Sequence, residues 1–104
     1  MAKGILYVQT HVDPAQADAY HAWYNDEHLP EICNLEGIVS ARRFEPIDED
    51  GSFTAIYEID ADSVEATKER LFAFMGSGKM STPAGMAEGK PFVMSFMREI
   101  ASHP

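Results

Sequence analysis

The stretch Trp23-Tyr24-Asn25-Asp26-Glu27-His28-Leu29-Pro30-Glu31-Ile32 crowds aromatic rings, carboxylates and an imidazole around a proline. Pro30 lacks an N–H, its ring meets the carbonyl four residues back, and it biases Leu29 away from the α region. The sequence therefore predicts a helix that ends or kinks near His28, with that imidazole aimed into a cavity. Upstream, Asp13-Pro14 supplies an N-cap and a proline at the first helical position, and Gln16 follows Asp13 in capping-box spacing. Between Pro14 and His28 the rings of Tyr20, Trp23 and Tyr24 recur every three to four residues, a stripe suited to lying on a sheet. Beyond the proline, Glu31 to Leu35 makes one more turn, and Gly37 supplies the left-handed stop.

Strands flank this helix. Gly4 to Val12 alternates, with Ile5, Tyr7, Gln9 and His11 on one face and Leu6, Val8, Thr10 and Val12 on the other. The aliphatic face is expected to pack on helices and the polar-tipped face to border a cavity. Ile38 to Glu45 reads as a second strand, with Ile38, Ser40, Arg42 and Phe44 together and Arg43 opposite. A polar turn through Asp48-Glu49-Asp50-Gly51 leads into Phe53 to Asp60, which completes a hairpin. Asp62 or Ser63 caps a second amphipathic helix, Val64 to Phe74, and a long Gly-, Pro- and Met-containing connection precedes a fourth strand, Phe92 to Ile100.

The order β-α-β-β-α-β within residues 1–104 defines a single α+β domain of the ferredoxin-like plan. Its antiparallel strands take the order 4-1-3-2, and both helices lie on one face. The other face is left bare. It carries large side chains whichever register the strands adopt, so a second copy is expected to cover it and form a homodimer.

The run Asn25-Asp26-Glu27-His28-Leu29-Pro30 on the helix, followed by Gly37-Ile-Val-Ser-Ala-Arg-Arg-Phe44, resembles the EthD-like family of the dimeric α+β barrel superfamily. The resemblance covers the whole chain in element order and two short motifs in sequence. It implies a dimeric α+β barrel with a pocket in each subunit between sheet and first helix, and it maps the family's recurrent histidine onto His28 and its proline onto Pro30. The superfamily includes cofactor-free monooxygenases, polyketide cyclases and decarboxylases, muconolactone isomerases and haem-binding enzymes, together with proteins of no demonstrated activity, so the fold alone does not choose a reaction.

A histidine at a helix end can simply complement the dipole. The resemblance turns the reading of His28 toward a general acid or base, with Asp26 and Glu27 beside it to orient or charge it. Tyr24 and His11 are expected to join it as catalytic groups, and Tyr7, Gln9, Trp23, Arg42 and Tyr57 to line the substrate site. His21 and His28 share a helix face, but no third ligand stands at metal-binding spacing, so no metal is expected. No dinucleotide or phosphate-loop fingerprint is present, and the expected chemistry is cofactor-free. The expected substrate is a small hydrophobic aromatic or polyketide-like carbonyl compound undergoing isomerisation, cyclisation, decarboxylation or oxygenation; the competing reading is a binding or accessory protein that uses the same pocket without turnover.

Composition narrows the partners. A net charge of −9, from 17 acidic and 8 basic residues with no basic run, argues against nucleic acid or an anionic membrane surface. No apolar stretch is long enough to span a bilayer, the first residues already read as a strand, and the lone Cys33 has no disulfide partner, which together point to the cytoplasm.

Overall fold

The computed structural model describes residues 2–104 and realises the expected order of elements. Strand β1 (Ala2–His11) leads into a short 3-10 turn (Pro14–Gln16) and a continuous helical rod made of α1 (Ala17–Ala22), a π-helical turn (Trp23–His28) and α2 (Leu29–Cys33). Strands β2 (Ile38–Phe44) and β3 (Ser52–Ala61), helix α3 (Val64–Gly76) and strand β4 (Val93–Arg98) follow. The four strands form one antiparallel sheet in the order β2-β3-β1-β4.

A helical turn begins where the sequence places it, capped by Asp13, but it is the 3-10 turn, and the α-helical rod starts three residues later, at Ala17. Asp13 Oδ1 accepts from the Ala15 N–H at 3.0 Å. The rod's end is different: the helix does not stop at His28 but passes through a π turn and runs on to Cys33. The π turn explains how. The Leu29 N–H bonds the Tyr24 carbonyl, five residues back, and the widened turn makes room for the Pro30 ring. Pro30 then occupies the start of α2, where a missing N–H costs little.

Leu6 and Val8 of β1, Ala55, Tyr57 and Ile59 of β3, and Ile38 of β2 form the buried sheet layer. Tyr20, Trp23, Tyr24 and Ile32 from the rod and Val64 and Leu71 from α3 complete the core. Ser63 caps α3 by accepting from the Ala66 N–H at 3.1 Å. In β4, Met94 and Phe96 pair with Val8 and Leu6 and so share the helix-covered face, while Val93, Ser95 and Met97 pair with Gln9, Tyr7 and Ile5 on the other. Among the described residues no helix covers that second face, which also carries Ile56.

Strand β2 departs from simple alternation. A bulge between Ile38 and Ser40 inserts one residue, so Ile38 faces the helices opposite Ile59 while Ser40 and Arg42 face away. One extra residue exchanges the faces of everything after it. Arg42 is consequently exposed beside Glu58 at 3.9 Å, and Arg43, opposite Ala55, turns toward the helical rod.

Gly37 makes the close turn into β2. Its φ is +98°, and a Cβ there would stand 2.5 Å from Thr67 Oγ1 and 3.0 Å from the Ala61 side chain. Gly37→Ala is therefore expected to destabilise the fold by roughly 2–3 kcal/mol, from backbone strain plus the contact with α3. Urea midpoints of the two proteins, at unchanged slope, measure it.

Candidate functional site

An apolar cavity of about 270 Å³ opens between the sheet and the two helical layers. Leu6 and Val8 from β1 and Tyr57 from β3 form its floor, Trp23, Tyr24, His28 and Ile32 one wall, and Leu71 and Met75 of α3 the other. The connection between α3 and β4 covers it with Met80, Pro83 and Met86. Methionine thioethers are flexible and polarisable, so this cover can adapt to the shape of a guest.

His28 is the cavity's main basic group. The π turn stacks its ring on Trp23, with centroids 4.4 Å apart and planes 22° apart, and sets it edge-on to Tyr24 at 5.2 Å. Nδ1 lies 3.0 Å from Glu31 Oε2, and the imidazole side chain is only 12% exposed. An ionised carboxylate can only accept, so Nδ1 carries the proton and Nε2 keeps a free lone pair.

Glu31 is in turn held from the far side of the chain. The Ser81 N–H donates to Glu31 Oε1 at 2.9 Å and the Ser81 hydroxyl donates to Oε2. Trp23 Nε1–H donates to the Ser81 hydroxyl at 2.8 Å. The four residues Trp23, Ser81, Glu31 and His28 thus close a ring of hydrogen bonds and stacking that fixes the imidazole and clasps the cavity's cover to the rod. Further along, the cover is tied to the end of β1 by Asp13 N–H to the Gly85 carbonyl at 2.8 Å and Ala87 N–H to the His11 carbonyl at 2.9 Å.

Arg43 braces the back of the site. Nη1 donates to Asn25 Oδ1 at 2.9 Å and to His21 Nδ1 at 3.2 Å, and the guanidinium lies 4.5 Å from the Tyr24 ring centre. Among the described residues Arg42, Arg70 and Arg98 each meet a glutamate, whereas Arg43 meets none. Its charge is left to the aromatic faces of Tyr20, Tyr24 and Phe53.

Of the residues expected at the site, the structure gathers His28, Tyr24, Trp23 and Tyr57 on the cavity. It sets the others apart. Tyr7 and Gln9 alternate onto the bare sheet face, away from the buried Leu6 and Val8, and Arg42 joins them there through the bulge. His11 lies at the end of that face, its Nδ1 3.3 Å from the Pro91 carbonyl. The three β1 residues share one reason: the cavity forms within the apolar layer between sheet and helices, so the aliphatic side of β1 lines it and the polar-tipped side does not. Asp26 and Glu27, the carboxylates next to His28 in sequence, are exposed, and Glu31 takes the orienting role. Glu31 and Ser81 are the residues that sequence reasoning passed over. The first has a signal, the i,i+3 spacing from His28; the second, 50 positions from Glu31, has none. Among the described residues no group of three or more His, Cys, Asp or Glu side chains could hold a metal ion, and no helix is long and apolar enough to cross a membrane.

Burial pushes the His28 pKa below the ordinary histidine value, and the Glu31 bond and charge pull it part of the way back. Burial alone would raise the Glu31 carboxyl, but the Ser81 hydroxyl and N–H and then His28 outweigh it, so its pKa is lowered. Burial pushes the Tyr24 phenol up to about 12.

The sequence profile of the family described as "Domain of unknown function (DUF4286)" matches residues 3–76. No curated protein sequence matches the chain. The fold is similar to the crystal structure of the NE2512 protein of unknown function from Nitrosomonas europaea, with a TM-score of 0.61 at 16% identity over 100% of this chain and 95% of that one. At that identity the likeness concerns the fold.

Both His28 and Glu31 destabilise the fold in acid. An imidazole whose folded pKa is depressed takes up its proton more readily when unfolded, so stability falls as pH drops below about 6.5 toward the lowered folded value. The Glu31 clasp is fully present above the ordinary carboxylate pKa and is lost as pH falls through its own lowered value. Titration of the imidazole resonances by NMR is expected to give a His28 midpoint below 6.5. In Glu31→Gln, which removes the carboxylate charge and leaves only a neutral acceptor beside Nδ1, that midpoint moves lower still.

Proposed function

The chain belongs to the DUF4286 family, whose description assigns no activity, and from the cavity we propose that it is a cofactor-independent enzyme in which His28 moves a proton on a small hydrophobic carbonyl compound. One observation carries the reading: a buried imidazole, kept neutral by desolvation and fixed in one tautomer by Glu31, stands in an otherwise apolar wall. A neutral, oriented base facing a water-poor cavity is what abstraction of a weakly acidic C–H or O–H beside a carbonyl requires. When Nε2 accepts that proton, the imidazolium is formed next to the Glu31 carboxylate, which stabilises it. The same imidazolium can return the proton elsewhere on the substrate, so isomerisation, cyclisation, decarboxylation and the first step of oxygenation share one acid–base pair. A non-catalytic binding or accessory role would use the same cavity, and its adaptable methionine cover favours that second reading as well as the first.

The assembly belongs to this proposal. On the bare face of the sheet Ile5, Tyr7, Ile56, Val93 and Met97 lie side by side, with Phe44 near its edge. Four strands spaced about 4.8 Å apart and about 25 Å long present roughly 500 Å² in projection. Corrugated by side chains, this approaches the roughly 800 Å² per partner of a stable interface. The occupant is a second copy packed sheet on sheet about a two-fold axis, which yields the dimeric α+β barrel of the EthD-like proteins. Tyr7, Gln9, His11 and Arg42 then serve the interface and not the cavity. The lone, half-buried Cys33 suits a reducing compartment, the cytoplasm.

Two measurements test these readings. Across a panel of aromatic and polyketide-like ketones, at least one compound is expected to turn over, and His28→Ala is expected to lower kcat by 10²-fold or more with affinity changed only a few-fold; binding without turnover of any compound replaces the enzyme with the binder. Light scattering at micromolar concentration is expected to give twice 11.6 kDa. Ile56→Asp, a charge in the middle of the bare face, is expected to give the monomer.

A further inference from the structure

Tyr57 stands at the centre of the cavity floor, 1% exposed, between Leu6 on β1 and Ala41 on β2. Its hydroxyl is buried and has no hydrogen-bond partner in the described chain. The nearby clasp does not serve it, since Ser81 and Trp23 bond each other and Glu31. A buried hydroxyl without a partner is costly, and native proteins rarely retain one without a use for it. Among the described residues of the floor, Tyr57 alone carries a hydroxyl, beside Leu6 and Val8.

We infer that Tyr57 selects the ligand, donating its hydroxyl to a single carbonyl or phenolic oxygen on an otherwise apolar molecule of about two fused rings. This rests on the reading of the cavity as a ligand site and specifies what enters it. An apolar cavity of about 150 Å³ holds benzene. The 270 Å³ found here takes a larger skeleton of the same kind. Apart from His28 and Tyr24, the rest of the lining is aliphatic, Met, Pro, Phe and Trp side chains, so a second polar group turned toward it would lose its water without compensation. Burial holds the Tyr57 phenol far above its ordinary pKa, so it keeps its proton and acts as donor to an acceptor oxygen. Arg43, diagonal to Tyr57 across β2 and β3, keeps a buried Nη2 that has no oxygen partner either. Its positive charge opposes the effect of burial at both Tyr57 and Tyr24 and so favours negative charge growing on an oxygen held there. Tyr57 and His28 would then address one substrate from two sides, the first holding the oxygen and the second reaching the neighbouring acidic hydrogen.

The full chain and two probes test this: α-tetralone and tetralin, which share a skeleton and differ by one carbonyl. Tyr57→Phe is expected to weaken tetralone binding about tenfold and to change tetralin binding less than twofold. In the ligand-free protein the same substitution removes an unpaired hydroxyl, so Tm is expected to rise by a few degrees. In the unaltered protein, the infrared carbonyl band of bound tetralone is expected below its position in hexane, a readout that does not depend on any variant folding. Equal losses for the two probes, no loss for tetralone, or a carbonyl band at the hexane position overturns the role of Tyr57 while leaving the cavity a ligand site. A lower Tm for Tyr57→Phe also overturns it, because the hydroxyl would then already hold a partner such as a buried water. Failure of the unaltered protein to bind either probe removes the cavity reading and this inference together.

Discussion

A proline cannot sit inside an ordinary α-helical turn, and the candidate site depends on how the chain accommodates Pro30. Stopping the helix at His28 would leave that imidazole at a frayed end, free to turn toward water. Widening one turn instead keeps the rod intact through Cys33 and brings Trp23 and His28, five positions apart, into a stack. It also keeps Glu31 on the same rod as His28, one helical turn further on, where its carboxylate can fix the tautomer. Local irregularity therefore produces local order: the π turn costs some regular hydrogen bonding and returns a histidine whose ring is held by a stack on one side and a carboxylate at its edge.

The same logic of one residue out of step governs β2. The bulge after Ile38 exchanges the two arginines between faces. Arg42 becomes a surface cation with an exposed glutamate for company, an arrangement worth little to stability. Arg43 becomes the cation of an aromatic box, bonded to His21 and Asn25 on the rod. The sequence alternation shows that adjacent arginines point opposite ways, but nothing in it marks the extra residue that decides which one turns inward.

Legibility in the sequence follows from range. Periodicity, caps and glycines are local signals, and they were enough for the order of elements, the sheet order 4-1-3-2 and the presence of Trp23, Tyr24 and His28 on a helix that lies on the sheet. Tyr57 could be placed as a strand residue on the alternation of Phe53, Ala55 and Ile59. Glu31 was hidden by the expectation that proline ends a helix, which severs the i,i+3 relation that ties it to His28. Ser81 lies in an irregular connection and acquires its meaning only when tertiary folding brings it to Glu31. Tyr7, Gln9 and His11 drew attention because polar tips look functional, whereas the cavity is lined by the aliphatic side of the strand.

Strand β1 is central in space and earliest in chain order, while β4, one of its two partners, comes last among the strands. A growing chain can therefore build β1, β3, β2 and both helical layers while one edge of β1, Gly4 to Gln9, still lacks its ladder. An open edge of that kind, with Ile5, Leu6, Tyr7 and Val8 beside it, is a template on which another chain can pair. The connection that carries Ser81 and covers the cavity lies between α3 and β4, so the same stretch of chain that brings the cover leads into the strand that closes this edge. Covering the cavity and protecting the vulnerable edge of β1 are, in this fold, both tasks of the residues that follow α3.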